Sequence, residues 1–225
     1  MRHMIAAVTV ELVKSAGRCV TAEELAEKLF ARPILVRSAL EALASEGAGV
    51  EQAEGCFRVR DPVELAIAAA KLGVSEIELA KGLDWRMFEE FAARALREAG
   101  YTVYRNLKAY SPVGLEVDVL GLRPNHAVAL DCKHWDPRYS SPSRLRAAAL
   151  RHLKRVDRLA LLWRKLGLPR GKWIVVPALL VLRRSVDRIM EGVAVVPVSN
   201  LRGFIEELSS LAYSGLLRTK VVETL

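Results

Sequence analysis

Two short stretches place charged side chains two residues apart inside apolar segments: Glu116-Val-Asp118-Val-Leu and Leu130-Asp131-Cys-Lys133. Residues two apart share one face of a β-strand. Glu116 therefore faces the same side as Asp118, with Leu115, Val117 and Val119 on the other. Asp131 and Lys133 share a face opposite Val128 and Leu130, with Cys132 between them turned toward the core. Arg123-Pro124-Asn125 has the composition of a tight turn, and the hairpin it forms brings Asp118 near Asp131. Carboxylates among valine and leucine are strongly disfavoured unless something compensates them. A divalent cation does so: Mg²⁺ takes one or two carboxylates and completes its shell with phosphate and water. Lys133 beside such a cation can stabilise developing negative charge or assist deprotonation of a water. The plainer alternative is a hydrogen-bonded structural Asp118 and a same-face Asp131–Lys133 ion pair.

The elements around these residues follow from periodicity. Trp85 to Ala99 reads as an amphipathic helix with Phe88, Phe91, Ala92, Ala95, Leu96 and Ala99 on one face. Glu89 falls at the edge of that face, and Glu90 falls opposite, among Arg86, Arg94 and Arg97. Gly100 ends the helix. Strands are predicted over Tyr101 to Leu107, Val113 to Leu122 and His126 to Trp135. A loop from Pro137 to Pro142 leads to a helix capped by Ser143 and running to Leu166. Its core stripe is Leu145, Ala149, Val156, Ala160 and Trp163. Arg144, Arg151, Lys154, Arg155, Arg158 and Lys165 lie within about 100° on the other side. Asp157 is the only acid there, so i,i+4 pairing does not account for the stripe. A phosphate backbone does, and Arg151, His152 and Lys154 are the residues expected nearest a bound strand. Trp173 to Leu182 and Val193 to Val198 read as buried strands, Leu201 to Leu211 as a helix, and Ser214 to Leu225 as a tail or added strand.

The first sixty residues are organised differently. Three short helices carry Ile5, Val8 and Leu12, then Leu25 and Leu29, then Val36, Leu40 and Leu43. Thr21 and Glu24 form a capping box, and Pro33 suits a first turn. A hairpin over Val50 to Arg60 follows. This order resembles a winged helix, a family whose third helix enters the major groove. The resemblance implies DNA contact by Arg32 and Arg37, with Arg58 and Arg60 near the wing. Glu41, Glu46, Glu51 and Glu54 argue against it, and dimerisation or packing on a neighbouring domain is the alternative. A helical linker from Asp61 to Gly82 completes the expected division: winged-helix-like domain 1–60, linker 61–82, and catalytic domain 83–225.

Glu89, Glu116-Val-Asp118 and Asp131-Cys-Lys133, in the order helix, three strands, helix, strand, resemble the PD-(D/E)XK nuclease superfamily. Trp85-Arg-Met-Phe-Glu89 followed by Glu98-Ala-Gly-Tyr101 is similar to Mrr-like restriction endonucleases and archaeal Holliday-junction resolvases. The resemblance implies an α/β, restriction-endonuclease-like mixed sheet flanked by helices. It implies metal-dependent hydrolysis of DNA phosphodiester bonds with Mg²⁺ or Mn²⁺, in restriction, repair or recombination. Asp118 and Asp131 would be metal ligands, Lys133 the catalytic lysine and Glu89 the residue orienting a metal-bound water. Glu116 is a reserve ligand. Aspartate at 131 departs from the commoner glutamate. The alternatives are a DNA-binding regulator with a degenerate nuclease fold and a protein-interaction module.

Charge agrees with an anionic partner. The chain has 225 residues and a formal net charge of +8, with 34 basic and 26 acidic side chains. Residues 1–60 are neutral, and Lys133 to Arg188 holds 15 basic residues against Asp136, Asp157 and Asp187. Nicks on opposite strands would favour a twofold dimer. Cys19, Cys56 and Cys132 are too far apart to suggest a zinc site or a disulfide framework, so a reducing cytoplasm is expected. Nothing reads as a membrane span. Trp135 reads as a core or rim residue. A single glutamine, Gln52, beside abundant arginine hints at a thermophilic source.

Overall fold

The computed structural model describes residues 1–47, 49–53, 55–110, 114–134, 141–182 and 188–224. Trp135, most of the loop after Pro137, Glu54 and Val113 lie outside the described residues. The chain divides into two units, Met1–Phe91 and Ala92–Leu225.

The first unit contains α1 (Arg2–Lys14), β1 (Cys19–Val20), α2 (Ala22–Lys28), α3 (Pro33–Ser45), β2 (Val50–Ala53), β3 (Cys56–Val59), α4 (Pro62–Lys71) and α5 (Glu76–Gly82). Thr21 caps α2 reciprocally. Its hydroxyl accepts from the Glu24 N–H at 3.1 Å, and the Glu24 carboxylate accepts from the Thr21 N–H at 3.0 Å. The strands form an antiparallel sheet in the order β1-β3-β2. Leu12, Leu25, Leu40, Leu43 and Phe57 pack beneath it. The residues expected as a linker do not stand apart: Leu65, Ala66 and Ala69 of α4 and Leu79 of α5 enter this same core. Asp61 starts α4 by accepting from the Val63 and Glu64 N–H groups at 3.0 and 3.1 Å, and its alanines allow close helix approach.

The cysteines require a correction. Cys19 and Cys56 are joined as a disulfide, with Cα atoms 5.6 Å apart. Spacing concealed this because β1 and β3 are remote in sequence but adjacent in the sheet, with Val20 opposite Phe57. The bond also removes the reason for expecting a reducing compartment.

In the second unit, β4 (Thr102–Ala109), β5 (Leu115–Arg123) and β6 (His126–Lys133) form an antiparallel meander. Helix α7 (Pro142–Leu162) then crosses to β7 (Gly171–Val181), which runs parallel to β6 and to β9 (Val193–Pro197). The seven-stranded sheet has the order β4-β5-β6-β7-β9-β8, where β8 is Ile189–Met190, and β10 (Lys220–Thr224) pairs with β7. The architecture is thus α/β, a mixed sheet flanked by helices.

Helix α7 lies along one face of the sheet. Leu145 and Ala149 pack with Leu179, Val181, Val193 and Val195, and Val156, Leu159 and Trp163 with Leu120, Leu122, Ala127, Ala129 and Val175. Its cap is Ser141 rather than Ser143: the Ser141 hydroxyl accepts from the Arg144 N–H at 3.3 Å, and Pro142 occupies the first turn. Val176, Ala178 and Leu180 are buried on the other face, where α8 (Leu201–Tyr213) packs against β6, β7 and β9.

Helix α6 (Trp85–Glu98) begins in the first unit and ends in the second. Gly100, at φ +83°, stops it. The Tyr101 N–H then donates to the Leu96 carbonyl at 3.0 Å and turns the chain into β4. Gly121 lets Leu96 sit close to β5. A β-carbon there would stand 3.1 Å from Leu96 Cδ1, 3.2 Å from Val128 Cγ1 and 3.3 Å from Tyr101 Cδ1.

Candidate functional site

The β5–β6 ladder pairs Val119 with Leu130. One step further along, where the β5–β6 pairing stops, Asp118 of β5 comes beside Asp131 near the end of β6. The Cys132 N–H donates to Asp118 Oδ2 at 2.7 Å, which fixes that carboxylate against the neighbouring strand. Asp131 is only 3% exposed. Its Oδ1 accepts from Lys133 Nζ at 2.8 Å and from an Arg155 guanidinium nitrogen at 2.8 Å. The same Lys133 Nζ lies 2.7 Å from Oδ2, but without hydrogen-bond direction, so Oδ2 is buried with no directed donor. The Asp131–Lys133 ion pair of the plainer alternative is therefore present, and a second cation from α7 joins it.

Burial pushes the Asp118 carboxyl up to about 6. The adjacent Asp131 charge adds to this, while the Cys132 N–H, Lys133 and Arg155 oppose it. Burial also works against the Asp131 charge, but the cations around it hold its carboxyl below the ordinary range. A charged His152 would add to them. Burial lowers His152 itself, however, and favours the neutral ring, so Lys133 and Arg155 carry this effect near neutral pH.

His152 corrects another expectation. It has no exposed surface and so does not reach a bound strand. Its Nε2 lies 2.9 Å from the Ala129 carbonyl oxygen, between α7 and the sheet. The helix turns this position inward because its buried residues run Leu145, Ala148, Ala149, His152, Val156, Leu159.

Glu116 does not share the Asp118 environment. It is exposed and pairs with Lys108 at 2.8 Å. Strict alternation fails here. Leu115 and Val117 enter the core beneath α7 before Asp118, whereas Leu120 and Leu122 do so after it. The irregularity lies opposite Asn106, which has φ +50°. The inward-facing set changes parity at Asp118, just where the β5–β6 pairing stops after Val119.

Glu89 is 5% exposed on the part of α6 that belongs to the first unit. Glu90 is half-buried. Among the described residues, no three histidine, cysteine, aspartate or glutamate side chains converge as metal ligands. The second unit brings together Asp118, Asp131, Lys133 and Arg155.

The other basic residues of α7 differ in surroundings. Arg144, Arg151 and Lys154 are exposed, and Arg158 donates to the Gly114 carbonyl at 2.9 Å. In the first unit, Arg37 pairs with Glu23 at 2.8 Å and Arg60 with Glu51 at 2.7 Å. Arg32 and Arg58 are exposed. The sequence assigned Arg155 to phosphate and missed its bond to Asp131. No local signal marks that bond, since the partners are 24 residues apart and meet only when α7 packs on the sheet.

No family model matches the chain, and no curated protein matches it. Among solved structures, protein VC1899 from Vibrio cholerae is similar at 13% identity and a TM-score of 0.41, covering 94% of this chain and 53% of that one. Can2 from Sulfobacillus thermosulfidooxidans, solved in complex with cyclic tetra-adenylate, is similar at 14% identity and a TM-score of 0.34, covering 77% of this chain and 45% of that one. The chain spans about half the length of these two structures. At these scores neither likeness bears on function. No helix of the described residues is long and apolar enough to cross a membrane.

Proposed function

We propose that this protein is a divalent-cation-dependent endonuclease that hydrolyses DNA phosphodiester bonds, with a restriction-endonuclease-like second unit and a winged-helix-like first unit. The observation that carries this reading is the meeting of Asp118, Asp131 and Lys133 on the α7 side of the sheet. The donor set fits a hard cation: an Asp118 carboxylate whose charge burial and the neighbouring Asp131 disfavour, and a buried Asp131 Oδ2 with no directed donor. Asp118 and Asp131 would hold Mg²⁺ or Mn²⁺, which when bound supplies charge neutralisation and an activated water. Lys133 would set positive charge against the phosphate oxygens as negative charge develops there. Arg151 and Lys154 would bind flanking phosphates and fix the strand.

The order α1-β1-α2-α3-β2-β3 with its antiparallel sheet supports the winged-helix reading. Pairing of Arg37 and Arg60 with glutamates directs the main DNA contact to the second unit. A twofold dimer would set two such sites on opposite strands.

The test is a cleavage panel of duplex, branched, flapped and methylated DNA, with and without Mg²⁺ or Mn²⁺. Cleavage is expected only with metal and is expected to be lost in Asp118→Ala and in Lys133→Ala. DNA binding without metal-dependent cleavage, or cleavage that survives both substitutions, overturns the reading.

A second reading, a DNA-binding regulator with a degenerate nuclease fold, is favoured by one observation. The Asp131 charge is already met by Lys133 and Arg155, and no third ligand converges with Asp118 and Asp131 among the described residues. It predicts salt-sensitive DNA binding that ignores divalent cations.

A further inference from the structure

Among the described residues, the four charges brought together in the second unit balance. Asp118 and Asp131 contribute two negative charges, and Lys133 and Arg155 contribute two positive ones within direct or near contact. A divalent cation added to this set leaves two uncompensated positive charges in a half-buried place. Electrostatics at such a place are stronger than in water. The imbalance is relieved only if a resident cation moves away or an anion arrives. A phosphodiester brings one negative charge and oxygen ligands for the metal.

The two resident cations are not equally able to move. Lys133 stands two residues from Asp131 on the same strand, touches both its oxygens, and its side chain is 17% exposed. Arg155 reaches across from α7, makes its contact to Oδ1 alone, and is 30% exposed. It lies one residue from Lys154 and one helical turn from Arg151, both exposed. A guanidinium binds phosphate as readily as carboxylate, because its planar fork matches either. A short rotation of Arg155 toward the exposed basic face would therefore exchange one anionic partner for another.

We propose that Arg155 is a built-in counter-cation for Asp131 that a divalent cation must displace, so that metal and phosphodiester bind cooperatively while Arg155 passes from carboxylate to phosphate. This rests on the reading of Asp118 and Asp131 as metal ligands. It makes Arg155 a positioning residue and a gate on metal affinity. Without DNA the site holds metal weakly, because Asp131 is already neutralised.

The test is a calorimetric Mn²⁺ titration at pH 7.5 of the full chain, alone and saturated with a nuclease-resistant phosphorothioate duplex. The wild type is expected to bind Mn²⁺ about tenfold more tightly with duplex present, a factor ordinary for coupled sites. Arg155→Gln is expected to bind Mn²⁺ alone about tenfold more tightly than wild type, with its coupling to duplex reduced below about threefold. Arg155→Lys keeps the charge and should stay within about threefold of wild type.

An Arg155→Gln protein that binds Mn²⁺ no more tightly than wild type overturns the proposal. So does an Arg155→Lys protein that tightens as much as Arg155→Gln, since charge would then not be the cause. Should Arg155→Gln lose its circular-dichroism signature, the wild-type coupling decides, and Mn²⁺ affinity indifferent to duplex overturns the idea. Mn²⁺ binding that Asp118→Asn abolishes but Arg155 does not influence sinks this inference alone. Absence of any Asp118-dependent Mn²⁺ binding in every protein sinks the metal-site reading with it.

Discussion

Asp118 holds a charge where the fold disfavours one. Its carboxyl is raised from 3.8 to about 6, first by burial and then by Asp131. The folded state therefore prefers the protonated form. The stabilisation from this preference is fully present below pH 3.8 and is lost as pH rises through about 6. Without divalent metal, Asp118→Asn should be more stable than wild type at pH 7.5 by about 1–2 kcal/mol, after allowance for solvent near the carboxylate. The advantage should shrink toward zero near pH 4, since both proteins are then neutral at 118. Urea unfolding in EDTA at the two pH values reads this directly. A variant equal to wild type at pH 7.5, or more advantaged at pH 4, would show that Asp118 is not a strained charge. The Cys132 N–H bond survives the change, because an amide oxygen accepts it too.

Helix α7 serves the site in two directions. Its inward face carries Val156, Leu159 and Trp163 into the core, while Arg155 turns to Asp131 and Arg151 and Lys154 stay in solvent. Replacing Arg151 and Lys154 together by alanine should leave the unfolding free energy in urea within about 0.5 kcal/mol of wild type. It should lower duplex affinity and reduce the slope of log affinity against log salt by about 2. Filter binding across a salt series measures that slope. An unchanged slope would take the exposed face of α7 out of the phosphate contact. On the opposite face, Gly121→Val is expected to cost about 1–3 kcal/mol, because the added atoms meet Leu96, Val128 and Tyr101. Loss of that magnitude in urea unfolding, with α-helical signal retained, would locate the packing of α6 on β5.

Strand β5 shows where element-level reading stops. Period-two alternation places Asp118 and Glu116 together, yet the pleat breaks opposite Asn106 and only Asp118 joins Asp131. Nothing in Glu116-Val-Asp118 announces that break, since it falls where β5 leaves its pairing with β6 and opposite Asn106 on a different strand.

Over the whole molecule, the disulfide closes a loop of 37 residues that contains α2, α3 and β2. Chain-entropy arguments assign such a loop about 4 kcal/mol. Reductant should therefore lower the urea midpoint of the intact chain. Thiol titration of the unfolded, unreduced protein should find one reactive group, Cys132, and three after reduction. Three thiols before reduction would count against the bond. The net charge of +8 has a comparable internal structure. The first unit ties Arg37 and Arg60 to its own glutamates, whereas the excess after Lys133 includes the solvent-facing residues of α7.

Local order was legible from sequence because it depends on neighbours. The Thr21–Glu24 cap, the turn at Arg123-Pro124-Asn125, the helix around Glu89, and the faces of Asp131 and Lys133 all follow from offsets of one to four residues. So does the placing of Asp118 beside Asp131, since a short hairpin admits few registers. Tertiary structure alone decided what meets across longer separations. It gave Asp131 its Arg155 partner, buried His152 against Ala129, sent Glu116 to Lys108, joined Cys19 to Cys56, and drew α4 and α5 into the first core. Each of these depends on how elements far apart in the chain cross and which face they turn inward, and no short-range periodicity encodes that.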